Sequence, residues 1–330
     1  MRLATRNNGT PDGQLVVVSS DNDCFVAANG IATNLLDAMT RWADVAGPLA
    51  ALAKQPEANQ DSAEAFDSAS ALAPLPRSWQ WLDGSAFPQH GLLMQKAFHL
   101  PPIESDRPLM YQGMSDRFYG GTADVPFGSE KDGIDFEGEF AVIVDHVPMG
   151  TSADDAMDHI KLVVQLNDWS LRTIAPIEMK TGFGWVQAKP ACSVAPVAVT
   201  PDELGASWSN GRVCLPLRVE WNGKRFGDAD GSEMEYGFHE LVAHAAATRD
   251  LVAGTIIGSG TVSNRDYANA GSSCISERRA IDMIEHGEPK TQFMSFGDRV
   301  RMEARSRDGR PLFGVIDQSV TSAKTIVTEP

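Results

Sequence analysis

The sequence is short of positive charge: 28 lysines and arginines stand against 44 aspartates and glutamates, a net charge of -16. Such a surface repels phosphate backbones and anionic bilayers, which excludes a general nucleic-acid or membrane-surface binder. Cysteine is scarce as well. Cys24, Cys192, Cys214 and Cys274 are scattered, with no CxxC pair and no His spacing that suits zinc, so free thiols in a reducing cytosol are expected. Apolar clusters such as Ile256-Ile257 are short and broken by Gly, and no run reaches membrane-spanning length. Met1 to Asn7 leads into a polar turn without the apolar stretch of a secretion signal, and a cytoplasmic location is the expectation. There is no internal repeat.

What is present is an ordinary globular composition, 42% hydrophobic and 22% charged over 330 residues, enough for one large domain and a small one. Leu15 to Val18 predicts a strand after the Pro-Asp-Gly turn at 11–13, with Phe25 to Ala27 as its hairpin mate. Leu35, Leu36, Met39, Trp42 and Val45 fall at helical spacing, predicting a helix over 31–52 interrupted at Gly47-Pro48. Residues 55–75 are rich in Ala, Ser and acids and read as the connection between a small N-terminal domain (1–75) and a main domain (76–330). Beyond it the texture becomes short β-branched runs: Phe140 to Val144, Leu162 to Leu166, Leu215 to Trp221 and Val300 to Glu303. Asn222-Gly223 is a strong hairpin signal, and helices are expected near 153–160 and 237–248. The main domain is expected to be mainly β, α+β overall, with a few flanking helices.

The chemistry centres on Asp135-Phe136-Glu137-Gly138-Glu139-Phe140. Alternate strand residues share a face, so Glu137 and Glu139 point one way and Phe136 and Phe140 the other. Two carboxylates so close repel unless a cation sits between them. An exposed strand with two solvated acids is the plainer account of this pair. Asp168, ending the apolar run 162–166, adds a third acid, though it could simply cap the next turn. Three carboxylates without His or Cys partners form a hard oxygen set, suited to Mg²⁺, Mn²⁺ or Ca²⁺ rather than zinc.

Four motifs in order carry a resemblance. Asp135-Phe136-Glu137-x-Glu139, then Asn167-Asp168-Trp169-Ser170-x-Arg172, Gly258-Ser259-Gly260-Thr261 and Phe296-Gly297-Asp298-x-Val300 resemble the signature of the fumarylacetoacetate hydrolase family over roughly residues 78–315. The resemblance implies a mixed β-sandwich roll, often a homodimer, and Glu137, Glu139 and Asp168 as metal ligands. Asp83, seven residues before His90, matches a fourth ligand, and His90 matches the general base. Without the resemblance His90 is an ordinary loop histidine. Arg172 and Lys189 match cations at the substrate, Tyr111 and Thr261 substrate-binding groups, and Glu277 the acid partner of the base. Two positions depart from the tyrosine-pathway members: Ala175 stands for a substrate-facing Gln and Met179 for a Tyr. In shorter members an acid follows the catalytic His by three residues, where this chain has Leu93.

The implied function is metal-dependent hydrolysis of a C–C bond in a small, fumarylacetoacetate-like diketo acid, as in aromatic amino-acid catabolism. Mg²⁺ is the first choice of ion, with Ca²⁺ or Mn²⁺ as alternatives. The same scaffold also serves 2-keto acid decarboxylases, hydratases and isomerases. A keto-acid substrate is itself an anion, so a metal ion and local cations must reverse the field of this acidic protein inside the site.

Overall fold

Short apolar strands of the main domain build two sheets that face one another. The computed structural model describes residues 1–55, 63–99, 101 and 105–323. The larger sheet runs, in spatial order, through Glu64–Ala65, Cys24–Ala27, Gln14–Val18, Arg2–Arg6, Val197–Val199, Ile160–Asn167, Gly138–Val144, Ile256–Gly258, Trp81–Gly84 and Met110–Gly113. The smaller has the order Lys224–Asp230, Pro216–Trp221, Arg299–Glu303, Ile316–Ser322 and Val125–Phe127. This is the mixed, sheet-rich α+β architecture expected.

The central strand Gly138–Val144 is buried on both faces along its whole length. Phe140, Val142 and Val144 join Leu217, Val219, Val300 and Met302 in the core between the sheets. Ala141 and Ile143 belong to a second core on the other side, with Leu35, Met39, Val45 and Leu49 from two N-terminal helices. Period-two alternation thus feeds two cores from one strand.

The hairpin at Asn222-Gly223 forms as expected. Both residues have positive φ, 51° and 73°, which a type I′ turn requires. The strands at Gln14–Val18 and Cys24–Ala27 pair antiparallel, and the helices at Ala153–His159 and Phe238–Ala245 also form.

Two features differ from expectation. The N-terminal helical stretch breaks at Arg41, between Leu35–Thr40 and Trp42–Leu52, while Gly47-Pro48 lies inside the second helix. Arg41 folds back onto Asp37 and the Ile31 carbonyl, which ends the first helix. The stretch 55–75 is also more than a connection. Glu64–Ala65 pairs with Cys24–Phe25, and Ala71–Leu72 with Thr5–Arg6, so this part of the chain adds strands to the sheet. The remaining part of that stretch, 56–62, lies outside the described residues.

Nor do the N-terminal strands form a sheet of their own. Arg2–Ala4 pairs antiparallel with Val197–Val199, which joins them to the main sheet. Among the described residues no helix is long and apolar enough to cross a membrane.

Candidate metal centre

Three stretches of the large sheet deliver the acids. Glu139 lies on the central strand, directly opposite Leu166. Asp168 follows the strand Ile160–Asn167, whose Asn167 pairs with Gly138. Asp83 comes from Trp81–Gly84, which runs parallel to Ile256–Gly258 on the other flank. Gly258 leaves the room: a Cβ there would stand 2.3 Å from the Asp83 Oδ1. The Gly260 N–H donates to that same oxygen at 3.1 Å.

Asp83, Glu139 and Asp168, all buried, each offer an oxygen within 4.8 Å of the others. Both oxygens of Glu139 are buried and have no hydrogen-bond partner among the described residues. An ionised carboxylate in that state is strongly disfavoured without a cation. Burial first, then repulsion from Asp168, pushes Asp83 well above the usual carboxylate range. Glu139 is pushed up likewise, by burial and then by Asp83. A hard divalent ion fits this donor set, supplying the missing partner and cancelling the repulsion.

Glu137 stands beside the triad rather than within it. Its Oε1 receives Lys189 Nζ at 2.7 Å and lies 2.8 Å from Arg172 Nη2. The Ser170 hydroxyl donates to the same oxygen, and the Thr261 hydroxyl donates to Oε2. Burial alone would raise this carboxyl, but Arg172 and Lys189 overcome it and hold Glu137 well below the usual range. Glu137 is thus held as an anion that keeps Lys189 and Arg172 beside the triad.

Asp168 is the most heavily engaged of the three acids. Its Oδ2 accepts from Lys189 at 2.6 Å and from the Tyr111 hydroxyl at 2.6 Å, and its Oδ1 from the Cys192 thiol at 3.0 Å. Tyr111 sits opposite Asp83 in the sheet register. Burial, and then the Asp168 charge, pushes its hydroxyl well up, so it stays a donor. Burial works against the charge on Lys189, yet Asp168 and Glu137 outweigh it and raise its pKa, so it stays a cation.

His90 is the third residue of the helix Pro88–Phe98, and its Nδ1 lies 3.1 Å from Oε2 of the fully buried Glu277. Glu277 belongs to the helix Ile275–His286. The two helices meet through Leu93, Ala97, Ala280 and Ile281. Leu93 thus fills a packing position, and the acid comes from the facing helix instead. A protonated His90 is near enough to help keep Glu137 ionised.

Two participants had no role assigned from the sequence. Asp135 is fully buried; it accepts from Arg172 Nε at 2.8 Å and from the Ile275 and Ser276 N–H groups at 2.7 and 2.9 Å. It ties the cation that holds Glu137 to the N-terminus of the helix that carries Glu277. The i, i+2, i+4 spacing of Asp135, Glu137 and Glu139 carried that signal. Cys192 had none, since nothing local marks a thiol that will meet Asp168.

Asp135→Ala should lower stability by about 3 kcal/mol or more, because it leaves a buried guanidinium short of its partner and removes a helix cap. Urea unfolding measures this. A loss below about 1 kcal/mol would show that the Arg172–Asp135 pair contributes little.

Burial and mutual repulsion make Asp83 and Glu139 hold protons more tightly than free carboxyls do, and metal binding competes with those protons. The folded pKa values lie above the unfolded ones, so these two groups favour the metal-free fold more as pH falls through the raised values. Apparent Mn²⁺ affinity should therefore rise as pH rises above the ordinary carboxylate range. Calorimetry in two buffers of different ionisation heat would show the protons released. A flat affinity would mean that Asp83 and Glu139 are already ionised without metal.

Sequence and fold comparisons agree with one another. Residues 80–321 match the family profile described as fumarylacetoacetate (FAA) hydrolase C-terminal, and residues 1–77 match fumarylacetoacetase N-terminal domain 2. Among curated proteins there is no significant match. Among solved structures, maleylpyruvate hydrolase from Sphingobium sp. SYK-6, in complex with manganese(II) ion and pyruvate, is similar with TM-score 0.65 at 17% identity, covering 98% of this chain and 99% of that one. Fumarylacetoacetate hydrolase from psychrophilic Exiguobacterium antarcticum gives 0.64 at 15% identity, with 98% and 99% coverage. The 5-carboxymethyl-2-hydroxymuconate delta-isomerase from Mycobacterium smegmatis gives 0.58 at 15%, again over 98% and 99%. At such identities the likeness is one of fold.

Proposed function

Since this chain belongs to the fumarylacetoacetate hydrolase family, we propose that it is a divalent-metal-dependent hydrolase that cleaves a C–C bond in a small diketo acid. The observation that carries the reading is the His90–Glu277 pair, whose imidazole is near enough to act on the charge of Glu137, together with a neighbouring carboxylate triad whose Glu139 has no hydrogen-bond partner among the described residues. Decarboxylation asks mainly for the metal, whereas water attack on a carbonyl also asks for a base held in one orientation.

Asp83, Glu139 and Asp168 would hold the ion, with Mg²⁺ or Mn²⁺ matching their hard oxygens. When bound, it would supply Lewis acidity toward the two oxygens of a keto-enol or 2-keto acid. With Glu277 accepting at Nδ1, His90 keeps a free lone pair at Nε2. That nitrogen takes a proton from the attacking water and can return it to the leaving carbon. Lys189 and Arg172 bring positive charge to oxygens that become negative, and Glu137 keeps both in place. The Tyr111 hydroxyl orients Asp168, and the Thr261 hydroxyl orients Glu137.

The test is the loss of fumarylacetoacetate ultraviolet absorbance with Mg²⁺- or Mn²⁺-loaded protein, repeated after chelation. Chelator-sensitive loss with two acid products supports hydrolysis. Persistent absorbance with either ion rules out this substrate. Release of carbon dioxide, or a shifted double bond with the carbon skeleton intact, would instead place the activity among the decarboxylases or isomerases of the scaffold.

A further inference from the structure

The outer face of the smaller sheet carries a cleft of about 420 Å³ that the chemistry above does not use. Four arginines line it (Arg218, Arg301, Arg305 and Arg307) against two acids, Asp228 and Glu303. In a protein of net charge -16 such a concentration of guanidinium groups runs against the overall field.

The acids do not neutralise the cleft. Glu303 is nearly buried and serves two arginines at once, with Arg301 Nη2 and Arg305 Nη2 each 2.6 Å from its carboxylate. Asp228 is taken by Arg225, which does not line the cleft. Arg218 is 58% exposed and meets Glu220 through one nitrogen at 2.6 Å. Arg307 has no acidic partner among the described residues. Each guanidinium carries five N–H donors in a planar fork, so most of the donors here remain available. The strand register sets the arrangement: Arg218 lies opposite Glu303 and Arg301 opposite Glu220, on the face turned away from buried Val219 and Met302.

We propose that this cleft binds a small phosphorylated anion. Guanidinium forks match phosphate oxygens bidentately, and Leu215 and Pro216 give the floor an apolar portion against which the rest of such a ligand can rest. The cleft and the acid triad are separated by the thickness of the two sheets. On the inner face of the same strand, Leu217 packs against Gly138, the residue between Glu137 and Glu139.

The test is calorimetric titration of Mg²⁺-saturated protein with inorganic phosphate at low salt. The double variant Arg218→Ala/Arg307→Ala removes two solvent-facing side chains and leaves the Glu303 pairs intact, so its fold should be unaffected. Single-site binding is expected, weakened about tenfold or more in that double variant and retained in Lys189→Ala, which alters the metal centre instead. No binding heat in the native protein overturns the proposal. So does phosphate binding that survives in the double variant and disappears in Lys189→Ala, since that places the anion at the metal centre. The proposal does not depend on the reaction catalysed, and a failed hydrolase assay leaves it standing.

Discussion

Asp168→Ala should abolish measurable binding of Mg²⁺ or Mn²⁺ and reduce turnover by about a thousandfold or more. The estimate follows from losing several kcal/mol of metal-derived stabilisation, at about 1.4 kcal/mol per factor of ten. The structure explains why this acid matters more than its neighbours. Its two oxygens accept from Lys189, Tyr111 and Cys192 while one also faces Asp83 and Glu139. Its removal takes a third of the triad and frees three donors that then have no fixed target. Asp168→Asn keeps the shape and an acceptor oxygen, so it separates loss of charge from loss of fold. It should remain folded by circular dichroism yet bind metal poorly. An Asp168→Ala protein that turned over substrate with no metal present would end the metal-centred account.

The second large effect is expected at His90. His90→Ala should bind metal as the native protein does and lose about a hundredfold to ten-thousandfold in hydrolysis, the range general-base catalysis contributes. The preserved metal site follows from position, because His90 is outside the triad and acts by its charge on Glu137 beside it. Added imidazole should restore part of the rate. Glu277→Gln should cost less, since it keeps the side chain's size but no longer stabilises the charged imidazole. Undiminished hydrolysis in His90→Ala would move the base elsewhere. Loss of metal together with activity would make His90 part of the site's architecture.

Much of the site was legible because strands have a short period. Glu137 and Glu139 share a face in any strand, and Phe136 and Phe140 take the other, as the buried aromatic core confirms. The hairpin at Asn222-Gly223 was legible for a similar reason, since few residue pairs accept positive φ twice. What the sequence does not contain is distance across the fold. Asp83 reaches Glu139 only because its strand runs parallel to Ile256–Gly258, which in turn pairs with the central strand. The family resemblance supplied Asp83; its local residues did not. Glu137 was expected as a ligand from the resemblance; that its oxygens also gather Lys189, Arg172, Ser170 and Thr261 is something two identical side chains on one face cannot reveal. The helix Ile275–His286 was not read either, because its buried face is thin and packs largely on one other helix. A composition shift near residue 76 marked off the N-terminal unit but said nothing of its place in the sheet. Its pairing with Val197–Val199 spans nearly two hundred residues and leaves no local trace.

That pairing has a consequence for how the protein can be divided. Val197, Ala198 and Val199 are fully buried, and the strand Arg2–Arg6 covers their hydrogen-bonding edge. Without the first 77 residues, the family's C-terminal region would expose an uncharged β edge, the kind that recruits other chains. The leading segment covers that edge in the folded protein. Expressed alone, the C-terminal piece should collect in inclusion bodies, and the first 77 residues supplied in trans should keep part of it in solution.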